Sequence, residues 1–144
     1  MDYQTITYYV TDGVATVTLN LPDTLNAMTQ QMRAEITDAV IAAGSEARVL
    51  VLTGAGKAFC SGQDLGDSAS AASMDLERTL RDEYMPMIRA IRECPIPTIS
   101  AVNGAAAGAG ANLALAADVG IAKESAYFMP AFLRPGLLPD AGGT

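Results

Sequence analysis

Every residue from Ala105 to Ala111 is alanine or glycine, and this run follows the segment Thr98 to Val102 through the turn pair Asn103-Gly104. No other feature constrains the fold as much. A helix of such small residues, roughly Gly108 to Ala117, has little side chain to hold it off a neighbour, so it packs hard on a sheet or offers its backbone to a ligand. A strand, Val119 to Ala122, follows it. Upstream, Arg48 to Thr53 is apolar on both faces, which suits a strand covered on both sides in a parallel sheet, and Gly54-Ala55-Gly56 stops it. Strand, helix and strand in alternation, twice over, predict an α/β fold with right-handed crossovers. The two units share no repeat at the level of residue identity.

Thr5 to Leu19 alternates around Asp12-Gly13, the pattern of two strands joined by a two-residue turn. After Pro22-Asp23, Thr29 is placed to cap a helix whose apolar positions Met32, Ile36, Val40 and Ala43 recur at helical spacing, and Gly44 is expected to end it. Lys57 to Leu65 reads as a loop and the Ser/Ala-rich stretch Ser68 to Ser73 as a mobile or lid-like segment. Met74 to Arg92 reads as a helix interrupted at Pro86, with a solvated charged face. Gly136 to Thr144 has the composition of a turn opening a helix, and no helix follows, so the chain is expected to be truncated within its fold.

Half of the 144 residues are hydrophobic, which excludes disorder and supports about one domain. The absence of histidine removes the Ser-His-Asp triad, the Cys-His pair and histidine-ligated zinc, leaving acid–base work to carboxylates. Cys60 and Cys94, each without a nearby second thiol, indicate neither a zinc knuckle nor a disulfide framework, and no metal is expected. A net charge of −7 with only two lysines, Lys57 and Lys123, argues against a nucleic-acid partner. The start lacks the basic region of a secretion signal, and Ala105 to Ala117 is shorter than the roughly 20 residues that span a bilayer. The expectation is a cytoplasmic protein with no membrane partner.

Each glycine turn invites a phosphate reading. Gly54-Ala55-Gly56-Lys57 has the wrong spacing for a Walker loop and Ala58 where Ser or Thr must ligate magnesium. Gly104 to Gly110 has the parts of a dinucleotide fold, which keeps a nicotinamide-dependent oxidoreductase as an alternative, although no acidic residue stands about 20 residues past the loop. The same geometry serves as an oxyanion hole. Backbone N–H groups at a helix start lack intrahelical partners and lie at the positive end of the helix dipole, which places Ala109 as one donor and points to Phe59 to Leu65 for a second.

Leu25-Asn26-Ala27-Met28, Leu52-Thr53-Gly54, Lys57-Ala58-Phe59-Cys60-Ser61-Gly62-Gln63-Asp64-Leu65, Asn103 to Gly110 and Pro139-Asp140-Ala141-Gly142-Gly143-Thr144, in this order and at these intervals, resemble the crotonase (enoyl-CoA hydratase/isomerase) superfamily. The resemblance runs from near residue 6 to the end. It implies a spiral of repeated ββα units, of which residues 1–144 form the N-terminal part of the core, with the C-terminal helices of a homotrimer or homohexamer absent. On that ground these residues alone are expected to be unstable. It also implies that the backbone N–H groups of Gln63 and Ala109, the latter preceded by Gly108, hold the thioester carbonyl of an acyl-CoA. Asn26, Ala27, Ser61, Gly62, Asp64 and Leu65 would line the coenzyme A moiety, Lys57 would meet a phosphate, and the Ser68 to Ser73 region would border the acyl pocket. No cofactor is implied, coenzyme A being part of the substrate.

Hydratases of the family hold water between two glutamates, and the matching positions here are Asn112 and Phe132, which cannot exchange a proton. Asp140 remains, in the turn where isomerase and dehalogenase members carry a catalytic aspartate. The competing reading is a helix cap near Gly142. Phe128 and Phe132 are expected to desolvate Asp140 and raise its pKa. One carboxylate that moves a proton between two carbons is an isomerase device, and the runs Ala106 to Ala111 and Gly136 to Asp140 most resemble the branch that isomerises the ring-epoxide of phenylacetyl-CoA and shifts double bonds in enoyl-CoA. Hydration and a non-catalytic acyl-CoA-binding role are the alternatives.

Overall fold

The computed structural model describes residues 2–66, 75–130 and 138–143. Strands β1 (Ile6–Thr11) and β2 (Val14–Leu19) form the expected antiparallel hairpin, with Asp12 and Gly13 both at positive φ, as a tight two-residue turn requires. Helix α1 (Gln30–Glu46) is capped by Thr29, whose hydroxyl accepts the Met32 N–H at 3.1 Å. It buries Met32, Ile36, Ala39, Val40 and Ala43 against the sheet, where each large side chain contributes about 1.5–3 kcal/mol. The helix does not stop at Gly44. A Cβ there would stand 3.0 Å from the Pro95 ring, so this glycine serves a close approach inside the helix.

Strands β3 (Val49–Gly54), β5 (Thr98–Val102) and β7 (Val119–Ala122) continue the first sheet in parallel, in the order β1-β2-β3-β5-β7. Each is followed by a short strand of a second parallel sheet: β4 (Ala58–Cys60), β6 (Ala105–Ala107) and β8 (Phe128–Met129), in the order β4-β6-β8. The chain therefore climbs as a spiral, each turn laying one strand in each sheet, and helices follow the first two pairs. These are the ββα units expected from the resemblance, repeated in space without repeated residues. Two local expectations change. Lys57 to Leu65 is not all loop, since β4 lies within it, and β3 alternates, with Leu50 and Leu52 buried and Val49 and Val51 half-buried among the described residues.

The helix after β4 is continuous rather than broken at Pro86. It runs as α2 (Leu76–Thr79), a π turn (Leu80–Tyr84) and α3 (Met85–Arg92). Proline has no N–H to give and its ring crowds the preceding turn, and the wider turn relieves both: Met85 N–H bonds back to Leu80 C=O, five residues away. The extra residue turns Glu83 and Tyr84 toward α1. Met87, Ile88 and Ile91 then face the core. Helix α4 (Ala109–Leu115) begins directly after β6. Ser68 to Ser73 lies outside the described residues, and no helix among those described is long and apolar enough to cross a membrane.

Candidate active site

Asn26 and Asn103 tie the turns together. Asn26 is fully buried; its Nδ2 donates to the carbonyls of Ala55 and Ala58 at 2.9 and 3.0 Å, and its Oδ1 accepts Leu21 N–H at 2.9 Å. Its side chain is thus committed to the protein, and any contact with coenzyme A falls to the backbone of Asn26 and half-buried Ala27. From the other side, Asn103 accepts Gly54 N–H and donates to Gly56 and Ala58 carbonyls. A Cβ on Gly104 would stand 2.0 Å from the Lys57 carbonyl oxygen. That space is filled by protein backbone, so Gly104 serves the close approach of two turns rather than of a ligand, and Asp118, the acidic residue nearest the loop, is occupied with Thr98 N–H and hydroxyl.

Leu25 to Met28 and Ser61 to Asp64 run side by side, joined by Ser61 N–H to Leu25 C=O at 3.0 Å, Met28 N–H to Gly62 C=O at 2.7 Å and Asp64 N–H to Met28 C=O at 3.2 Å. The parallel bridge between Met28 and Gln63 uses Gly62 C=O and Asp64 N–H, so the intervening Gln63 N–H is turned to the opposite side. Gly62 has φ +103°, and a Cβ on it would lie 3.0 Å from Ala107 C=O and 3.9 Å from Ala109 N. Gly108, before Ala109, has φ 53° and ψ −126°, a conformation that L side chains avoid. Both expected donors therefore follow a glycine whose torsions aim the peptide, and the two peptides are neighbours. Ser61 Oγ donates to Thr24 C=O at 3.2 Å, Asp64 accepts Gly66 N–H at 2.8 Å, and Leu65 is exposed.

Asp140 is brought to the same end of α4. Asn112, one turn along from Ala109 and buried, donates through Nδ2 to the Asp140 carbonyl oxygen at 2.6 Å, and Gly143 N–H reaches that oxygen at 2.8 Å. Asn112 thus anchors the turn that carries Asp140. Burial raises the Asp140 carboxyl above the usual aspartate range, partly offset by a bond from its own N–H. Tyr84 is an aromatic group within electrostatic reach of this carboxylate. Phe128 is 43% exposed, and Phe132 lies outside the described residues. Cys60 is buried beside α4, and its thiol, pushed up to about 11 by burial, is no nucleophile near neutral pH.

Lys57 lines a cavity of about 470 Å³ together with Leu25, Asn103, Lys123 and Tyr127. The chain's two lysines, 66 residues apart in sequence, thus share one recess; Lys123 was not anticipated. Nor were Arg33 and Tyr84. Arg33 stands in line with Ile36 and Val40 on α1, and a cation within an apolar stripe is the signal that marks it.

Residues 10–144 match the family model described as "Enoyl-CoA hydratase/isomerase". The chain is 60% identical over 144 residues to a Rhodobacter capsulatus protein named "Probable enoyl-CoA hydratase", covering all of this chain and 56% of that protein. It is 44% identical over 141 residues to the Escherichia coli 1,2-epoxyphenylacetyl-CoA isomerase, covering 94% of this chain and 54% of that one. Its fold is similar to the crystal structure of an enoyl-CoA hydratase from Mycobacterium avium subsp. paratuberculosis, with a TM-score of 0.87 at 35% identity, over 99% of this chain and 56% of that one. The chain spans about half the length of these relatives.

Proposed function

Because the chain belongs to the enoyl-CoA hydratase/isomerase family, we propose that its site binds an acyl-CoA thioester and isomerises it, moving a double bond or opening a ring-epoxide through an enolate. The N–H groups of Gln63 and Ala109 hold the thioester oxygen as it gains charge. Asp140 takes a proton from one carbon next to the conjugated system and returns it to another, so no proton is gained or lost overall. The observation that supports isomerisation is the pairing of Asn112 with Asp140: the amide at the hydratase acid position is spent on the Asp140 carbonyl, leaving Asp140 as the carboxylate for proton transfer. No cofactor takes part. Lys57 meets a phosphate of coenzyme A, and the working enzyme is a cytoplasmic homotrimer or homohexamer.

The test is Asp140→Asn in the full-length protein, assayed with a 3-enoyl-CoA in deuterated water. Acyl-CoA binding is retained while isomerisation and solvent exchange fall by about 10²–10⁴, the usual contribution of general acid–base catalysis. Asp140 must be ionised to act as a base and its pKa is raised, so the parent loses kcat on acidification at a higher pH than a solvated aspartate would set. An unchanged rate makes Asp140 a turn residue only. The second reading, hydration of a 2-enoyl-CoA, is favoured by the name of the 60%-identical relative. Water addition by the parent that survives Asp140→Asn would support it.

A further inference from the structure

We infer that Arg33 and Tyr84 form a buried brace that positions Gln63, and so act as positioning residues for one of the two oxyanion donors. This rests on the reading of Gln63 N–H as such a donor. Arg33 is 5% exposed, and a cation taken out of water at this cost is held only by good partners. Its Nε donates to Glu83 Oε2 at 2.9 Å, with Nη2 on the same oxygen. Nη1 reaches Met28 C=O at 2.9 Å and Tyr84 Oη at 3.4 Å, and the guanidinium carbon lies 4.7 Å from the Tyr84 ring centre.

These contacts converge on Gln63 from two sides. Met28 C=O, held by Arg33, is the group that accepts Asp64 N–H in the bridge opposite Gln63. Tyr84 Oη meets Gln63 Oε1 at 3.4 Å. Arginine has no acceptor, so the tyrosine accepts from Arg33 and its own proton goes to Gln63. Burial pushes the Tyr84 hydroxyl up to about 12, which keeps that proton in place at neutral pH. Both contacts to the hydroxyl are long, so each contributes little energy and the effect expected from removing the hydroxyl is modest. Glu83 and Tyr84 are the residues that the π turn rotates toward α1, which gives that irregularity a use.

The experiment is Tyr84→Phe in the full-length protein, a change that keeps the ring over Arg33 and removes only the hydroxyl. The probe is an aryl-acryloyl-CoA whose absorption moves to the red when its carbonyl is polarised. Removing a whole oxyanion donor costs about 10²–10³ in rate, and misplacing one is expected to cost about tenfold in kcat. KM and melting temperature stay near the parent values, the red shift of the bound probe shrinks, and adding Gln63→Ala to Tyr84→Phe lowers kcat no further than Gln63→Ala alone. A parent-like kcat and red shift in Tyr84→Phe overturns the inference, as does a lower kcat with the red shift intact. Ala109→Pro separates the two failures: it deletes a donor outright, so an unaffected red shift there overturns the oxyanion reading itself, and a lost one leaves Tyr84→Phe to decide the brace.

Discussion

A single methyl group added at Gly110 tests the geometry of the site without touching any reacting group. A Cβ there would stand 2.4 Å from the Cys60 carbonyl oxygen, 2.8 Å from Cys60 Cβ and 2.9 Å from Cys60 C. The obstacle is the backbone of β4, which is paired to β6 through Cys60 and Ala106, so no side chain can swing aside. Restoring an ordinary contact of about 3.4 Å needs a retreat of α4 by about 1 Å, and a shift of that size at a reacting centre costs about 10²-fold in rate. Overpacking of this kind also destabilises by about 1–3 kcal/mol, and each kcal/mol lowers the melting temperature by about 2–4 °C in a chain of this size. The measurement is turnover of a 3-enoyl-CoA beside a thermal melt of Gly110→Ala. Gly120→Ala is the control, because a Cβ on Gly120 meets nothing within 4 Å. If Gly110→Ala keeps kcat within a factor of two, or if both variants lose equally, the dependence of Ala109 on close packing of α4 is wrong.

The shared recess predicts that Lys57→Ala and Lys123→Ala each raise KM for an acyl-CoA. A charge-assisted hydrogen bond contributes about 1.5 kcal/mol or more, about tenfold, while KM for the matching acyl-pantetheine, which lacks the adenosine phosphates, stays put. An equal rise for both thioesters refutes the phosphate assignment. A third test concerns Glu35, which accepts Gln4 N–H at 2.9 Å, Thr5 N–H at 2.8 Å and Gln31 Nε2 at 2.9 Å. Burial alone would raise its pKa, but these bonds and the Thr5 hydroxyl win and lower it. The unfolded chain then binds the proton more readily, so the stabilisation is present above the unfolded value of about 4.3 and is lost as pH falls below it. Melts of parent and Glu35→Gln therefore differ at pH 6 and converge toward pH 3, and a gap independent of pH refutes the assignment.

What the residues disclosed in advance follows the range of the interactions. The hairpin at Asp12-Gly13, the Thr29 cap and the strands Thr98–Val102 and Val119–Ala122 depend on neighbours a few positions away, and each is found as read. Strands β4, β6 and β8 are two or three residues long, too short for a period to show, and they exist only because distant strands pair with them. The π turn has Pro86 as its local trace, and a proline in a helix reads as a break until tertiary packing pulls the helix through it. Of the proposed oxyanion donors, Ala109 is read from its place at a helix start, whereas Gln63 is named only through the family resemblance. Arg33 and Tyr84 were not legible, since Arg33 meets Glu83 across 50 positions and Tyr84 meets Gln63 across 21.

Gly62 and Gly108 set the torsions of the peptides that carry the two proposed donors, while the side chains at those positions are a glutamine and a methyl group. A scan that trims side chains to alanine would therefore understate this site: Ala109 is already alanine, and trimming Gln63 removes its contact with Tyr84 but leaves its N–H in place. The informative substitutions run the other way, adding a β-carbon at Gly62 or Gly108, where positive φ makes any L side chain cost on the order of 1–3 kcal/mol. On the proposed reading, a survey by truncation would leave Ala109 silent and register at Gln63 only the lost side-chain contact, because the donors are set by backbone torsions rather than by functional groups.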